Sequence, residues 1–270
     1  MPTVLILPGH GGFCPGAVNS VLKVKEADGN LSVALKLSDL LKHNGFNTKL
    51  SRTTDVACGG ATNVSNDVGN QIRFVNNNQG DIAVAIHFNS FSDKNANGVE
   101  VIYSSLNPGF NNNTIKLANL LQNQLVKDTG MRNRGVKEIN QGIGIIKGTN
   151  KPTVLSENGF ISNDAESIWC SSDKHNLILA KSHAIAICQY FGIQFKELNQ
   201  NNNTNNNITP DNAVKLLING RNVDFPVRLV NGRTEAFVSE KWITVRDLSN
   251  LLKAELQWDA NTRTANLIIK

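Results

Sequence analysis

The chain of 270 residues has no apolar run of the roughly 18 residues that a membrane-spanning helix needs, so no membrane insertion is expected. Cysteine is scarce. Cys14, Cys58, Cys170 and Cys188 contain no CxxC pair and fit neither a zinc ribbon nor a disulfide scaffold, so four reduced thiols are expected in a protein made in the cytosol. The 7 prolines and 21 glycines follow no period, which excludes a collagen-like chain. Charge of one sign is nowhere concentrated. The 27 basic and 22 acidic residues leave +5, but no run of Lys or Arg builds a stripe for nucleic acid, and no nucleic-acid partner is expected. The surplus suits an anionic polymer equally well. The HExxH, GxSxG and Walker A patterns are missing, and Gly142-Ile143-Gly144 lacks the third spaced glycine of a nucleotide-binding turn. The opening residues, Met1 to Pro8, have neither a basic region nor a cleavage site; they read as a first strand and not as a signal peptide.

What is present is a 40% hydrophobic chain with a marked division. Residues 199–207 hold seven Asn in nine positions and nothing apolar, the composition of a flexible tether. The expected organisation is a domain over 1–196, an Asn-rich linker over 197–209 and a small β-rich domain over 210–270. In the first part strands alternate with helices. Strand patterns cover Val4–Leu7, Phe46–Ser51, Asp81–Phe88, Val99–Ser104 and Thr153–Ser156; helical spacing covers Leu31–Leu41, Val68–Asn77, Thr114–Val126 and His175–Phe191. This rhythm predicts an α/β fold with a mixed, mostly parallel sheet and helices on both faces. In the second part Asn219-Gly220 and Asn231-Gly232 separate short apolar runs, a hairpin signal.

Ligand groups in open α/β sheets collect at the carboxyl ends of strands. The first strand runs into Gly9-His10-Gly11-Gly12, the buried run Ile82–Ile86 into His87, and the last strand into Glu157; Glu26 lies just before the first helix. Two histidines and two carboxylates therefore converge on one sheet edge. Two His and one carboxylate form a catalytic zinc set that leaves a position open, and a further free carboxylate completes a hydrolase. Taken singly, such residues are structural histidines and solvated acids; the convergence is the signal. His43, His175 and His183 read as structural. Cys14, next to the glycine turn, leaves a Cys/His hydrolase as an alternative.

These residues also carry a resemblance. Gly9-His10-Gly11-Gly12 with Pro15-Gly16-Ala17, Leu50–Asp55, Arg73 with Asn78, Ala85–Ser90, Arg134–Lys137 and Lys151–Asn163 follow in order the motifs of zinc-dependent N-acetylmuramoyl-L-alanine amidases of the amidase-3 type, over about residues 8–164. The resemblance implies Zn²⁺ bound by His10, Glu26 and His87, Glu157 as the acid/base catalyst, and peptidoglycan as substrate. Arg52 and Asn89 take supporting roles. It also implies an endolysin or autolysin that is synthesised in the cytoplasm and acts on the bacterial cell wall after release. The alternatives are a catalytically inactive wall-binding protein on the same scaffold, marked by loss of a zinc ligand, and a zinc amidohydrolase for a small soluble amide. Three positions depart from the family pattern: Cys14 stands where Asp is usual, and Ser156 and Asn158 replace apolar residues beside Glu157. Residues 210–270 resemble the small stalk module named for the N-terminal part of copper amine oxidases, yet hold no His or Cys. They read as a wall-binding or self-association module, in which Trp242 and Trp258 either stack on sugars or form the core.

Overall fold

The computed structural model describes residues 1–198 and, beyond them, residues 215–218, 221–222, 227–230, 233–238, 241–251, 254–259 and 264–268. The Asn-rich segment expected to be a tether, 199–207, lies outside the described residues. The chain forms two compact units, Met1–Asn199 and Gln200–Lys270.

The first unit runs β1 (Thr3–Pro8), a short hairpin β2 (Val18–Asn19) and β3 (Val24–Lys25), α1 (Glu26–His43), β4 (Asn47–Leu50), α2 (Val64–Asn77), β5 (Ile82–Asn89), β6 (Val99–Tyr103), α3 (Asn112–Thr129), β7 (Asn133–Glu138), α4 (Gly144–Gly148), β8 (Thr153–Phe160), α5 (Asp164–Ser171) and α6 (Asp173–Tyr190). Six strands form one sheet in the order β4-β1-β5-β8-β6-β7. All neighbours are parallel except β6 and β8. The expected mixed, mostly parallel architecture is therefore the observed one.

The strand sequences explain the layers. Val4, Leu5, Ile6 and Leu7 are all fully buried, as are Ile82 to Ile86, because helices cover both faces of the sheet. Alternation then sends successive residues to opposite cores. Val4, Ile6, Val84, Ile86, Val101 and Val154 pack with apolar residues of α1, α3 and α6, whereas Leu5, Leu7, Ala83, Ala85, Ile102 and Leu155 pack with Val75 of α2 and with Ile145 and Ile146 of α4.

Two boundaries differ from the sequence reading in a way that matters. Helix α1 starts at Glu26, so this residue lies inside the first turn and not before it. The polar residues Glu26, Asp28 and Asn30 mask the helical period there, while two acids in the first turn suit the positive end of the helix. Strands β5 and β8 continue to Asn89 and Phe160, so His87 and Glu157 sit within paired strands. Strand β7 and helices α4 and α5 were not anticipated: their segments are short, and β7 carries Arg134 and Lys137 in a weakly apolar run.

Among the described residues, the second unit contains β9 (Lys215–Ile218), β10 (Arg221–Asn222), β11 (Val227–Val230), β12 (Arg233–Val238), β13 (Lys241–Thr244), α7 (Val245–Leu251), β14 (Glu255–Asp259) and β15 (Thr264–Ile268). The strands form sheets ordered β10-β9-β15-β14 and β11-β12-β13. The antiparallel pairs Ile218 with Arg221 and Val230 with Arg233 flank the two Asn-Gly dipeptides. Trp258 is 48% exposed, and the side chain of Trp242 lies outside the described residues.

Candidate metal centre

Three elements bring the sequence-predicted residues together. Strand β1 ends in a turn that carries His10, α1 begins with Glu26, and the neighbouring strand β5 carries His87. His10 Nε2 lies 3.2 Å from Glu26 Oε2, and His87 Nδ1 lies 3.0 Å from Glu26 Oε1. One donor atom from each residue falls within 4.8 Å of the others, a grouping able to hold a metal ion. The two imidazole rings meet edge to face at 5.1 Å.

This approach is built into the backbone. His10 has φ 61, in the left-handed region that non-glycine residues rarely adopt. Such a conformation costs about 1–3 kcal/mol and persists where the surroundings fix it. Here Gly11 N–H donates to Cys14 O at 2.8 Å, and the Cys14 N–H returns to Gly11 O at 3.2 Å. The Arg52 guanidinium donates to the carbonyls of Pro8, Gly9, Ala27 and Thr54, tying the β1 end to the start of α1. Arg52 is thus a backbone clamp. Two glycines make room: a Cβ on Gly9 would lie 2.2 Å from the His87 ring, and one on Gly16 would lie 2.5 Å from Glu26 Oε2.

Glu26 is 4% exposed and fully engaged. Besides the two imidazoles it accepts from the N–H groups of Ala17 and Phe88 and from Asn30 Nδ2. Burial alone would raise its pKa, but the bonds from His10 and His87 dominate and hold it well below the usual carboxylate range. Burial likewise pulls His10 down, yet the hydrogen bond and charge of Glu26 outweigh it and raise the imidazole to about 9. The centre thus pairs one buried carboxylate with two imidazoles, one on each of its oxygens.

Glu157 lies on the next strand, opposite His87 in the β5–β8 register. Its Oε2 is enclosed and accepts no hydrogen bond from the described residues. Burial, followed by the negative charges of Glu26 and Glu100, pushes its pKa well above the ordinary value. Glu100 stands opposite Glu157 on the other side, in β6, and is a feature the sequence reading missed. It is 4% exposed and accepts from Arg134 Nε at 2.6 Å, Lys137 Nζ at 2.5 Å and Asn89 Nδ2 at 2.9 Å. An acid in the middle of the apolar run Val99–Tyr103 was the available signal. His87, Glu157 and Glu100 thus form one row across three adjacent strands.

The remaining candidates separate cleanly. Cys14 is half-buried, with Sγ 3.2 Å from His10 Nδ1; Cys58, Cys170 and Cys188 are buried, and all four are free thiols. His43 ends α1, His175 stacks on Trp169 at 3.8 Å, and His183 is wholly buried against Ser156 and Leu179.

Comparisons with known proteins identify the family of the first unit. Residues 4–189 match the family model described as N-acetylmuramoyl-L-alanine amidase. The protein YqiI of Bacillus subtilis (strain 168) is 33% identical over 189 residues, covering 70% of this chain and 84% of that protein. The germination-specific N-acetylmuramoyl-L-alanine amidase of the same organism is 29% identical over 190 residues, covering 68% and 77%. The crystal structure of an N-acetylmuramoyl-L-alanine amidase from Clostridium difficile 630 superposes with a TM-score of 0.63 at 27% identity, covering 71% of this chain and 97% of that one. The chain belongs to the N-acetylmuramoyl-L-alanine amidase family.

Proposed function

We propose that the first unit hydrolyses the amide between N-acetylmuramic acid and L-alanine in peptidoglycan, with Zn²⁺ held by His10, Glu26 and His87 and with Glu157 as proton carrier. The observation that carries this reading is the donor set. His10 Nε2 stands 3.2 Å from one Glu26 carboxylate oxygen and His87 Nδ1 stands 3.0 Å from the other, and one donor atom from each residue lies within 4.8 Å of the rest. Ligand atoms about 2.0–2.1 Å from a tetrahedral ion lie about 3.4 Å apart, so each histidine already stands near ligand spacing from the carboxylate. Zinc bound there would supply Lewis acidity, polarising the amide carbonyl and lowering the pKa of a water toward about 7.

The protein's own groups do the rest. Glu26 is kept ionised and brings the negative charge that balances a cation. Arg52 and the Gly11–Cys14 turn fix the His10 backbone. Glu157 has an oxygen without a partner among the described residues and a raised proton affinity, so it accepts a proton from the attacking water and passes it to the leaving amine. Such an enzyme acts at the cell wall, as an endolysin or an autolysin. In this reading residues 210–270 form a wall-binding or self-association module, joined to the catalytic domain over 1–196 through 197–209, and the exposed face of Trp258 is available to a sugar ring.

A second reading draws on the 3.2 Å contact between Cys14 Sγ and His10 Nδ1, the pairing of a thiol nucleophile with its base. Chelation separates the two. The metal reading requires wall digestion to stop with a strong chelator and to return with zinc; a thiol amidase is indifferent to chelation and dies on alkylation. A wall-binding protein without activity releases nothing in either condition.

A further inference from the structure

We infer that Asn158, backed by Ser156 and His183, is a positioning residue for the metal centre: it clamps the peptide unit between His87 and Phe88 and thereby sets both His87 and Glu26. The inference rests on the metal reading of that centre.

Strands β5 and β8 pair irregularly beside the centre. The β5–β8 register runs evenly from Ala83 with Thr153 to His87 with Glu157, then shifts so that Asn89 pairs with Phe160. Bulges of this kind re-aim side chains beside active sites but interrupt the ladder. At this point side chains hold the peptide joining residues 87 and 88. Its carbonyl, His87 O, accepts from Asn158 Nδ2 at 3.0 Å. Its N–H, on Phe88, donates to Glu26 Oε1 at 3.2 Å. The same Glu26 oxygen faces His87 Nδ1 at 3.0 Å. One peptide therefore joins Asn158 on one side to two of the three metal-site residues on the other.

Asn158 is itself anchored from behind the sheet. Its Nδ2 also reaches Ser156 Oγ at 3.1 Å. Ser156 Oγ lies 2.8 Å from His183 Nε2, and His183 Nδ1 lies 2.7 Å from Leu179 O. A carbonyl only accepts, so Nδ1 carries the proton, Nε2 accepts from the Ser156 hydroxyl, and that hydroxyl accepts from Asn158. All three side chains are 0% exposed. Residues 156 and 158 alternate with Glu157, so the chain of bonds runs along the side of β8 that α6 covers while Glu157 faces the site.

This arrangement is a poor choice for stability alone. Asn158 Oδ1 is buried and has no hydrogen-bond partner among the described residues. An amide buried with half its capacity unmet is costly, and its donors are spent on His87 O and Ser156 Oγ rather than on the core. A residue retained against stability is expected where function needs it. The two roles thus predict opposite outcomes for one substitution. If Asn158 only filled space, Asn158→Leu would bind zinc normally. If it positions the 87–88 peptide, the same variant keeps its fold but loses metal affinity. Groups that orient metal ligands from behind typically account for about 10–100-fold in affinity.

The test titrates Zn²⁺ into the metal-free full-length chain against a competing chelator, for the wild type, Asn158→Leu and Ser156→Ala. Thermal melts and the electronic spectrum of the Co²⁺-loaded proteins accompany the titration. We expect zinc affinity to fall about 10–100-fold in Asn158→Leu, with a shifted cobalt spectrum in a variant that still melts cooperatively. Ser156→Ala, which leaves the Asn158 amide in place but frees it to turn, loses less; it carries the test if Asn158→Leu does not fold. Wild-type affinity and spectrum in a folded variant overturn the inference and leave the metal reading intact. Failure of the wild type to bind zinc overturns the metal reading itself.

Discussion

Acidification from pH 7 to pH 4 should remove about 3 kcal/mol of stability through His183 alone. The side chain is 0% exposed on α6. Burial lowers its pKa from 6.5 to about 4, against a smaller opposing effect of the bond to Leu179 O. The unfolded chain keeps the ordinary value, so the states differ by about 2.5 units at about 1.4 kcal/mol each. The sign follows from a folded pKa below the unfolded one. The contribution is complete above about pH 6.5, is lost as the unfolded chain takes up a proton the folded chain refuses, and is gone near pH 4. The assay is urea unfolding of the full chain in chelator at several pH values, followed by helical circular dichroism, for the wild type and His183→Gln. Other titrating groups cancel in the difference, which should change by about 3 kcal/mol between pH 7 and pH 4. Parallel curves for the two proteins would refute the claim that His183 is buried neutral.

Glu157→Gln should retain zinc and fold while losing roughly 10²–10⁴-fold in kcat, as measured by amine release from purified walls; full activity with zinc bound would end Glu157's role. Gly16→Ala should impair zinc binding, because the new Cβ would meet Glu26 Oε2 at 2.5 Å on a residue with φ +69; an equilibrium zinc titration checks it. A native chain should expose one thiol to a disulfide reagent, that of half-buried Cys14, and four after denaturation. Cleavage within 199–207 should release a fragment 1–198 that still digests soluble muropeptides yet binds whole walls less well, since a tethered second module raises effective concentration.

The fold was legible where residues repeat a simple pattern. Val4–Leu7 and Ile82–Ile86 are apolar on every residue because helices cover both faces, and that continuity survives in a bare sequence. Strand β7 was not legible. Its residues Arg134 and Lys137 serve the charge of Glu100, so it does not carry the pattern of a core strand. The approach of His10, Glu26 and His87 was readable from glycine, strand ends and the amidase motifs. Their support was not. Nothing in the sequence announces that Asn158 holds the peptide after His87 or that Arg52 spends its donors on four backbone carbonyls, and the acid in the run Val99–Tyr103 marks Glu100 without placing it beside Glu157. Apart from Arg52 with Thr54, these contacts join residues tens of positions apart and depend on register, which a one-residue shift would reverse.

The central claim is a zinc-dependent cut between the glycan and its peptide. It is tested most directly by digesting purified peptidoglycan with the metal-free chain, with and without added Zn²⁺, and measuring the chain ends released. The account predicts new L-alanine amino termini without new reducing sugar ends, only when zinc is present. Amino termini released equally in a strong chelator, or reducing ends in place of amino termini, would contradict it.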